Sequence, residues 1–305
     1  MTRLNSPVGA DAPGAASRDI PADARRVCEA AARAGGRVLL DWVGRFGVSN
    51  KGPRDLVTEA DLASQREIRS IVLAAFPDHG FIGEESLPEH VGDGASAEHD
   101  PAARPVFRWM VDPLDGTSNY VHGFPAWCVS VALTRGDEIL VGAIHDPKRD
   151  ECFTAQLGAG AWLNGEPVAA SRCTKLSDAL VALSFPPQLT ADSVAVADFL
   201  AVAPQVHSVR RTGSTAINLA WLACGRLDAF WVRRIACWDV AAGLLILREA
   251  GGSVGGFGDD GGSAATIPLD DPAFIAASTP ELLAELRRLL PESTRPGVAT
   301  GMCRL

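Results

Sequence analysis

Apolar residues recur at helical spacing near the start of the chain. Between residues 22 and 43 the apolar positions are Val27, Ala31, Ala34, Val38 and Trp42. This spacing predicts a helix with one buried face. A second helix is predicted from Asp61 to Phe76, because the apolar spacing continues there until Pro77 ends it.

Short apolar runs after the second helix predict strands. Such runs lie at 81–82, 109–111, 129–133, 139–144 and 228–232. The third and fourth of these are expected to pair, since only a short turn with a glycine separates them. Further helices are predicted at 214–224, 238–250 and 279–290. Strands and helices alternate irregularly, which predicts a layered α/β or α+β fold rather than a regular parallel crossover series.

The domain organisation follows from the composition of the segments. Residues 1–21 are rich in Ala, Gly, Pro and Ser and are predicted to be a disordered tail. Residues 22–290 are predicted to form one domain of two packed halves, about 22–170 and 171–290. The remainder, 291–305, is expected to be a C-terminal tail, and the polar stretch 91–105 is expected to be an exposed loop.

Composition and charge narrow the class of protein. The formal net charge is −9, with 28 basic against 37 acidic residues, so a general nucleic-acid binder is not expected. No run reaches the ~18 apolar residues of a membrane span. The seven cysteines are scattered and odd in number, which argues against a disulfide framework and favours a cytoplasmic protein.

Carboxylates cluster at the ends of the predicted elements. The most informative segment is Asp112-Pro-Leu-Asp115-Gly116, because proline and glycine allow a tight turn that brings both carboxylates to one point. By itself this sequence is equally typical of an ordinary turn. Two carboxylates ~4 Å apart repel by roughly 4 kcal/mol at an effective dielectric of 20. Bound cations relieve such repulsion, and ligands that are all oxygen favour magnesium or manganese over zinc.

Four motifs together resemble those of the inositol monophosphatase family. They are DLVTEAD at 55–61, FIGEES at 81–86, VDPLDGTSNYVHGFP at 111–125 and CWDVAAG at 237–243. The resemblance covers roughly residues 22–290 and implies an αβαβα sandwich. It also implies magnesium-dependent, lithium-sensitive hydrolysis of a phosphomonoester by a homodimer, with two or three metal ions in each site.

The resemblance also implies a set of metal ligands. Glu84, Asp112 and the main-chain carbonyl of Leu114 would hold one magnesium ion. Asp112, Asp115 and Asp239 would hold the second, and Glu84 would help to hold a third through waters. Two metals at one phosphoryl group would activate a water and stabilise the leaving oxygen together.

Further roles implied by the resemblance concern the water and the substrate. The residues that would orient and deprotonate the attacking water are Asp61, Glu84 and Thr117. Gly116 and Thr117 match the family's phosphate-binding turn, and the small polar residues Ser214 and Thr215 are expected to line the sugar pocket.

One position departs from the family pattern. A glutamate that accepts a hydrogen bond from inositol usually lies seven residues before the Trp-Asp pair, and here that position is Val232. Arg233 and Arg234 follow it. We therefore expect weaker selection of inositol, with more tolerance of a second anionic group if either arginine faces the cleft. In that case Val232→Glu would favour inositol 1-phosphate over a sugar bisphosphate.

Three functional hypotheses follow. The leading one is hydrolysis of myo-inositol monophosphate. The second is a related phosphatase acting on fructose 1,6-bisphosphate, histidinol phosphate or a nucleotide 3′-phosphate. The third is a non-catalytic regulatory or binding protein on the same fold. The complete set of carboxylates and Thr117 argues against the third, since such a protein has no chemical need for them.

Overall fold

A computed structural model of the chain describes residues 20–52, 55–85, 105–186, 189–258 and 267–291. The two predicted tails and the predicted loop at 91–105 lie almost wholly outside these ranges. Within them, none of the helices combines the length and apolar character that crossing a bilayer requires.

Helices and strands alternate along the described chain. The helices are α1 Ala24–Trp42, α2 Glu59–Ala75, α3 Thr117–Val121, α4 Val194–Val202, α5 Thr215–Ala223, α6 Cys237–Glu249 and α7 Pro280–Leu289. The strands of the first half are β1 Val48–Gly52, β2 Asp55–Thr58, β3 Gly80–Gly83, β4 Phe107–Asp115, β5 Cys128–Arg135, β6 Glu138–Asp146, β7 Glu151–Gln156, β8 Gly160–Leu163 and β9 Glu166–Pro167. The later strands are β10 Leu180–Leu183, β11 Ser208–Arg210, β12 Ala229–Val232, β13 Ser253–Gly255 and β14 Phe274–Ala277.

The strands form two large sheets and one small hairpin. The first sheet has seven strands in the order β3-β4-β5-β6-β7-β8-β9, with β3 parallel to β4 and the rest antiparallel. The second has five strands in the order β11-β10-β12-β14-β13. Strands β1 and β2 pair with each other. The predicted pairing of 129–133 with 139–144 is confirmed as the contact of β5 with β6.

The helices and sheets stack in five layers. Helices α1 and α2 pack on the face of the first sheet that carries Trp109 and Val131. Its other face, with Met110, packs on α5 and α6, which also contact the second sheet at Phe230. Helices α4 and α7 cover the outer face of the second sheet, where Trp231 is buried. The predicted αβαβα sandwich is therefore confirmed.

Capping residues set the helix boundaries. Helix α2 begins two residues before the predicted start, because the hydroxyl of Thr58 accepts hydrogen bonds from the amides of Ala60 and Asp61. The predicted start of α7 is confirmed, with Thr279 as N-cap and Pro280 in the first turn. Helix α6 begins at Cys237, one residue earlier than predicted.

The contact of β6 with α6 leaves no space for a side chain at Gly142. A Cβ atom there would lie 2.9 Å from the Cα of Ala242 and 3.0 Å from its carbonyl oxygen. Because these atoms belong to the backbone, we expect Gly142→Ala to lower the free energy of unfolding by about 1–3 kcal/mol. Urea denaturation measures the change.

Gly256→Ala is the matched control for this experiment. A Cβ atom at Gly256 would meet nothing within 4 Å, so the same substitution there is expected to change stability by less than about 1 kcal/mol. Equal effects of the two substitutions would contradict the close packing of α6 on β6.

Candidate active site

A β-bulge near the end of β4 brings two aspartates to one face of the first sheet. Asp112 lies opposite Ser130 of β5, and Asp115 lies opposite Cys128. Three steps along β4 therefore match two steps along β5, so β4 contains one extra residue. Without it, side chains three positions apart would point to opposite faces. With it, both carboxylates face the layer of α5 and α6.

Helix α6 supplies the third carboxylate of the site. Asp239 lies in its first turn and accepts a hydrogen bond from the amide of Ala236 at 3.3 Å. The hydroxyl of Ser130 donates to the carbonyl of Trp238 at 3.0 Å, which ties the start of α6 to β5. Carboxylate oxygens of Asp112, Asp115 and Asp239 lie within 4.8 Å of one another.

The start of α5 fixes the orientation of Asp115. Its Oδ2 accepts hydrogen bonds from the hydroxyl of Ser214 and from the amide of Ala216, each at 2.6 Å. Asp112 is held locally, since its Oδ1 accepts from the amide of Leu114 at 2.9 Å. Donors on two elements therefore place the two carboxylates before any ligand binds.

Burial makes this cluster unfavourable when it is fully ionised. Burial and the charge of Glu84 raise the pKa of Asp112 well above its usual value. Burial raises the pKa of Asp239 to about 8, with a further contribution from Asp115. Burial also raises the pKa of Asp115 to about 6, although its hydrogen bond from Ser214 opposes the shift.

The three carboxylates suit a hard divalent cation. Within the described residues, no lysine or arginine forms an ion pair with any of them. Their donors are all oxygen atoms, close together and turned toward one point. A bound divalent cation would supply the missing positive charge, and carboxylate oxygens are the ligands that magnesium prefers.

Glu84 lies at the same end of the sheet as Asp112. It follows β3, and its amide donates to the carbonyl of Val111 at 3.0 Å. The adjacent amide of Glu85 donates to the side chain of Gln65 at 3.0 Å. Glu84 is not one of the three carboxylates that lie within 4.8 Å of one another. The structure thus places Glu84 beside the cluster rather than in its centre.

Thr117 and Asp61 approach the cluster from the layer of α2. The hydroxyl of Thr117 lies 3.4 Å from Oδ1 of Asp61 and 3.1 Å from the carbonyl oxygen of Leu114. Asp61 is fully buried, and its other oxygen accepts from the amide of Thr58 at 2.9 Å. The capping box of α2 therefore fixes the carboxylate that contacts Thr117.

Gly116 allows the chain to turn between β4 and α3. Its φ of 99° is in the left-handed region, and a Cβ atom there would lie 2.9 Å from the carbonyl oxygen of Ala126. A residue with a side chain would be strained by both effects. This glycine lets α3 begin at Thr117, with a single residue between it and the end of β4 at Asp115.

The predicted substrate residues of the second half are mostly buried. Ser214 holds Asp115, and the hydroxyl of Thr215 lies 2.9 Å from that of Ser184. Val232 is 1% exposed and lies in the apolar cluster between the second sheet and the middle helices. The structure therefore does not place the side chain of Val232 on an open surface, and Val232→Glu would bury a carboxylate in that cluster.

The sequence left open whether Arg233 faces the cleft, and in the structure it does not. Its guanidinium makes two hydrogen bonds to Asp198, at 2.6 and 2.8 Å, and lies 3.8 Å from the ring centroid of Phe257. These contacts belong to the outer side of the second sheet. Arg234 is exposed, so it alone keeps the suggested role of attracting a second anionic group.

Sequence reasoning missed several supporting residues of the site. They are Ser64, Gln65, Asn119 and Ser130, whose side chains bond to the backbone of the site segments. Their only available signal is a polar residue at a position where the apolar pattern predicts burial. Ser130 gives that signal in β5, which is otherwise apolar around it.

Because the carboxylates of the cluster repel one another, we predict that Asp239→Asn changes the stability of the metal-free protein in a pH-dependent way. The pKa of Asp239 is about 8 in the folded protein, against about 3.9 for an unfolded aspartate. The folded state binds more protons, so the stability of the metal-free protein falls as pH rises between these values. We expect Asp239→Asn to raise the melting temperature in EDTA, with a larger gain at pH 8 than at pH 5.

Asp41→Asn serves as the control for this measurement. Asp41 is exposed at the end of α1, so its substitution is expected to have the same small effect at both pH values. A gain for Asp239→Asn that does not grow with pH would contradict the repulsion argument.

Comparison with known proteins identifies the family of the chain. The model of the inositol monophosphatase family matches residues 23–295. A Rhizobium meliloti protein named inositol-1-monophosphatase is 40% identical over 227 residues, which are 73% of this chain and 81% of the relative. An Aquifex aeolicus protein named fructose-1,6-bisphosphatase/inositol-1-monophosphatase is 37% identical over 74% of this chain and 83% of its own length.

A solved structure supports the same assignment. The crystal structure of the extragenic suppressor protein suhB from Bartonella henselae matches with a TM-score of 0.76 and 34% identity. The match covers 87% of this chain and 96% of the other. Because the family model spans most of the chain and the relatives match over more than four fifths of their own length, the chain belongs to the inositol monophosphatase family.

Proposed function

We propose that this protein is a magnesium-dependent phosphatase that hydrolyses a small phosphomonoester, with myo-inositol monophosphate as the leading substrate. The observation that carries the proposal is the close group of Asp112, Asp115 and Asp239, the first two of them buried, with the Thr117–Asp61 pair nearby. The name of the Rhizobium meliloti relative supports the choice of substrate. A binding protein without catalysis would have no use for this costly arrangement.

The residues that would hold magnesium fall into two overlapping sets. Glu84, Asp112 and the carbonyl of Leu114 would hold one ion, and Asp112, Asp115 and Asp239 would hold another. When bound, the magnesium ions would lower the pKa of water and neutralise charge on the phosphoryl group. Asp112 belongs to both sets, which is consistent with its electrostatic interaction with Glu84, Asp115 and Asp239.

The chain itself would position the water and the substrate. Asp61 would accept a hydrogen bond from the hydroxyl of Thr117. The oxygen of Thr117 would then be free to accept a hydrogen bond from the attacking water. Glu84, at the end of β3, would take a proton from that water. The turn at Gly116 and the start of α3 would receive the phosphate. Phosphoryl transfer depends mainly on such positioning and on charge neutralisation.

The start of α5 would hold the carboxylate of Asp115 in position during the reaction. Ser214 and the amide of Ala216 hold Asp115 at 2.6 Å, so this carboxylate cannot rotate away when its charge changes. We propose this supporting role for Ser214, with the side chain of Thr215 behind it. In this proposal the catalytic domain is 22–290, and its two halves, about 22–170 and 171–290, meet at Asp115.

Metal dependence tests the proposal directly. We expect excess EDTA to abolish phosphate release from inositol 1-phosphate and magnesium to restore it. Calcium is expected not to restore activity, because its larger and looser coordination does not hold the in-line geometry. The family resemblance further implies inhibition by lithium, measured as a titration at fixed magnesium. Full activity in excess EDTA would contradict the proposed role of the metal.

Substitutions of the proposed metal ligands test the role of the metal one residue at a time. We expect Asp112→Asn or Asp115→Asn to lower kcat at least ~100-fold, a loss of about 3 kcal/mol of transition-state stabilisation. The exposed control Asp41→Asn should keep the activity of the unmodified protein. If Asp115→Asn also kept it, the proposed second metal site would be wrong.

The hydroxyl of Thr117 is expected to act on the chemical step. Thr117→Ala should lower kcat by roughly 10²- to 10⁴-fold, the range that a lost proton-transfer contact gives. Thr117→Ser keeps the hydroxyl and is the matched control, so its kcat should stay within about tenfold of wild type. The measurement is kcat at saturating magnesium. Equal losses in the two variants would assign Thr117 a packing role instead.

Arg234 favours a second candidate substrate class. It is exposed two residues after the buried Val232, and the chain has no glutamate at position 232, where the family resemblance expects one. One relative is also named a fructose-1,6-bisphosphatase. We therefore expect Arg234→Gln to lower kcat/KM for a sugar bisphosphate by about tenfold relative to inositol 1-phosphate. An unchanged ratio would exclude Arg234 from substrate selection.

Three further properties belong to the same proposal. We propose a homodimer and two or three magnesium ions in each site on the basis of the family resemblance, and a cytoplasmic location on the basis of the scattered cysteines. Light scattering of the full chain tests the first. Magnesium titration followed by calorimetry tests the number of ions.

A further inference from the structure

A fully buried hydroxyl group lies between α2 and the bulge of β4. It belongs to Ser64, whose side chain is 0% exposed, and it donates a hydrogen bond to the carbonyl oxygen of Pro113 at 3.1 Å. Helix α1 encloses it further, because a Cβ atom on Gly35 would lie 2.8 Å from the same hydroxyl. Serine hydroxyls in helices often bond to a carbonyl one turn earlier in their own helix. This one bonds to the first sheet, 49 residues further along the chain.

The bulge explains why the carbonyl of Pro113 needs this donor. The pairing of β4 with β5 is interrupted between Asp112 and Asp115, and the extra residue of a bulge is left without its ladder bonds. A carbonyl that is buried without a donor is unfavourable. The hydroxyl of Ser64 meets the carbonyl of Pro113 within that interruption. A polar side chain on the buried face of α2 therefore stabilises the backbone feature that brings the two aspartates together.

The same peptide unit is also bound from its other side. Its N–H group belongs to Leu114 and donates to Oδ1 of Asp112 at 2.9 Å. Because a trans peptide unit is planar, its C=O and N–H groups point in opposite directions. Fixing the oxygen from α2 therefore also fixes the direction of the N–H group. A hydrogen bond to the oxygen polarises the peptide unit as well, which strengthens its N–H donor.

This peptide unit lies between two of the proposed ligands of one magnesium ion. The side chain of Asp112 comes before it, and the carbonyl of Leu114 comes directly after it. The hydroxyl of Thr117 donates to that carbonyl at 3.1 Å, so the second ligand is held in place too. A rotation of the peptide unit would move both ligands at once.

We propose that Ser64 is a positioning residue for the metal site, which sets the affinity for magnesium through the peptide unit between Pro113 and Leu114. The inference rests on the proposed function, since it requires that Asp112 and the carbonyl of Leu114 bind magnesium. Ser64 itself would contact neither the ion nor the substrate. Because it belongs to the layer of α1 and α2, the packing of that layer reaches the metal site through one hydrogen bond.

The test is a titration of the full chain with magnesium alone, followed by calorimetry. We expect Ser64→Ala to raise the dissociation constant of magnesium by about three- to tenfold, the effect of one lost hydrogen bond. Its kcat at saturating magnesium should stay within about threefold of wild type, because Asp61, Glu84 and Thr117 are unchanged. Ser64→Cys keeps a weaker S–H donor, so its dissociation constant should lie between those of wild type and Ser64→Ala.

Thr134→Val is the matched control. The hydroxyl of Thr134 is also fully buried, and it donates to the carbonyl of Arg108 at 3.3 Å, near the other end of β4. Removal of either hydroxyl should lower the melting temperature, since each leaves a carbonyl of β4 without that donor. Only the substitution at Ser64 should change the dissociation constant of magnesium by more than about twofold.

Two results would overturn this inference and leave the proposed function intact. In the first, wild type and Ser64→Ala bind magnesium equally. In the second, Ser64→Ala and Thr134→Val weaken binding by the same factor. If Ser64→Ala does not fold, Ser64→Cys replaces it, and binding equal to that of wild type then overturns the inference. A wild-type protein that binds no magnesium would contradict the proposed function and this inference together.

Discussion

The mutual repulsion of three clustered carboxylates, two of them buried and one partly buried, is the constraint on which the rest of this structure depends. Asp112, Asp115 and Asp239 bring oxygens within 4.8 Å of one another, and burial raises the pKa of each. A fold that served stability alone would not keep such a group, because each charge loses its hydration. The arrangement becomes more favourable when protons or cations neutralise part of this charge, so its geometry suits the binding of a cation.

Three separate features of the backbone impose this cluster on the side chains. The extra residue in β4 places Asp112 and Asp115 on one face, the start of α5 anchors Asp115, and the start of α6 presents Asp239. The close approach at Gly142 sets the distance of α6 from the sheet. Since these features belong to the first sheet and to the middle helix layer, the cluster forms only when these two layers pack together. Folding energy from the apolar layers thus offsets the local repulsion.

The sequence predicted the layers and the main carboxylates, but it could not predict how they are supported. The helical spacing predicted the helices, and the four motifs predicted Asp112, Asp115 and Asp239 as metal ligands. The start of α2 was predicted two residues late, because the pattern located apolar positions and not the cap at Thr58. The bulge depends on pairing with β5, which no local pattern encodes. The orientation of Arg233 could not be predicted for a similar reason, because its partner Asp198 is far from it in sequence.

One short segment connects the start of α5 with two parts of the site. Residues 212–216 hold Asp115 through the hydroxyl of Ser214 and the amide of Ala216. Asn119 of α3 donates to the carbonyl of Thr212 at 2.8 Å, so the helix after Gly116 is tied to the same segment. A movement of Thr212 would therefore move an anchor of Asp115. The geometry of the carboxylates thus depends on how the start of α5 packs against the first sheet.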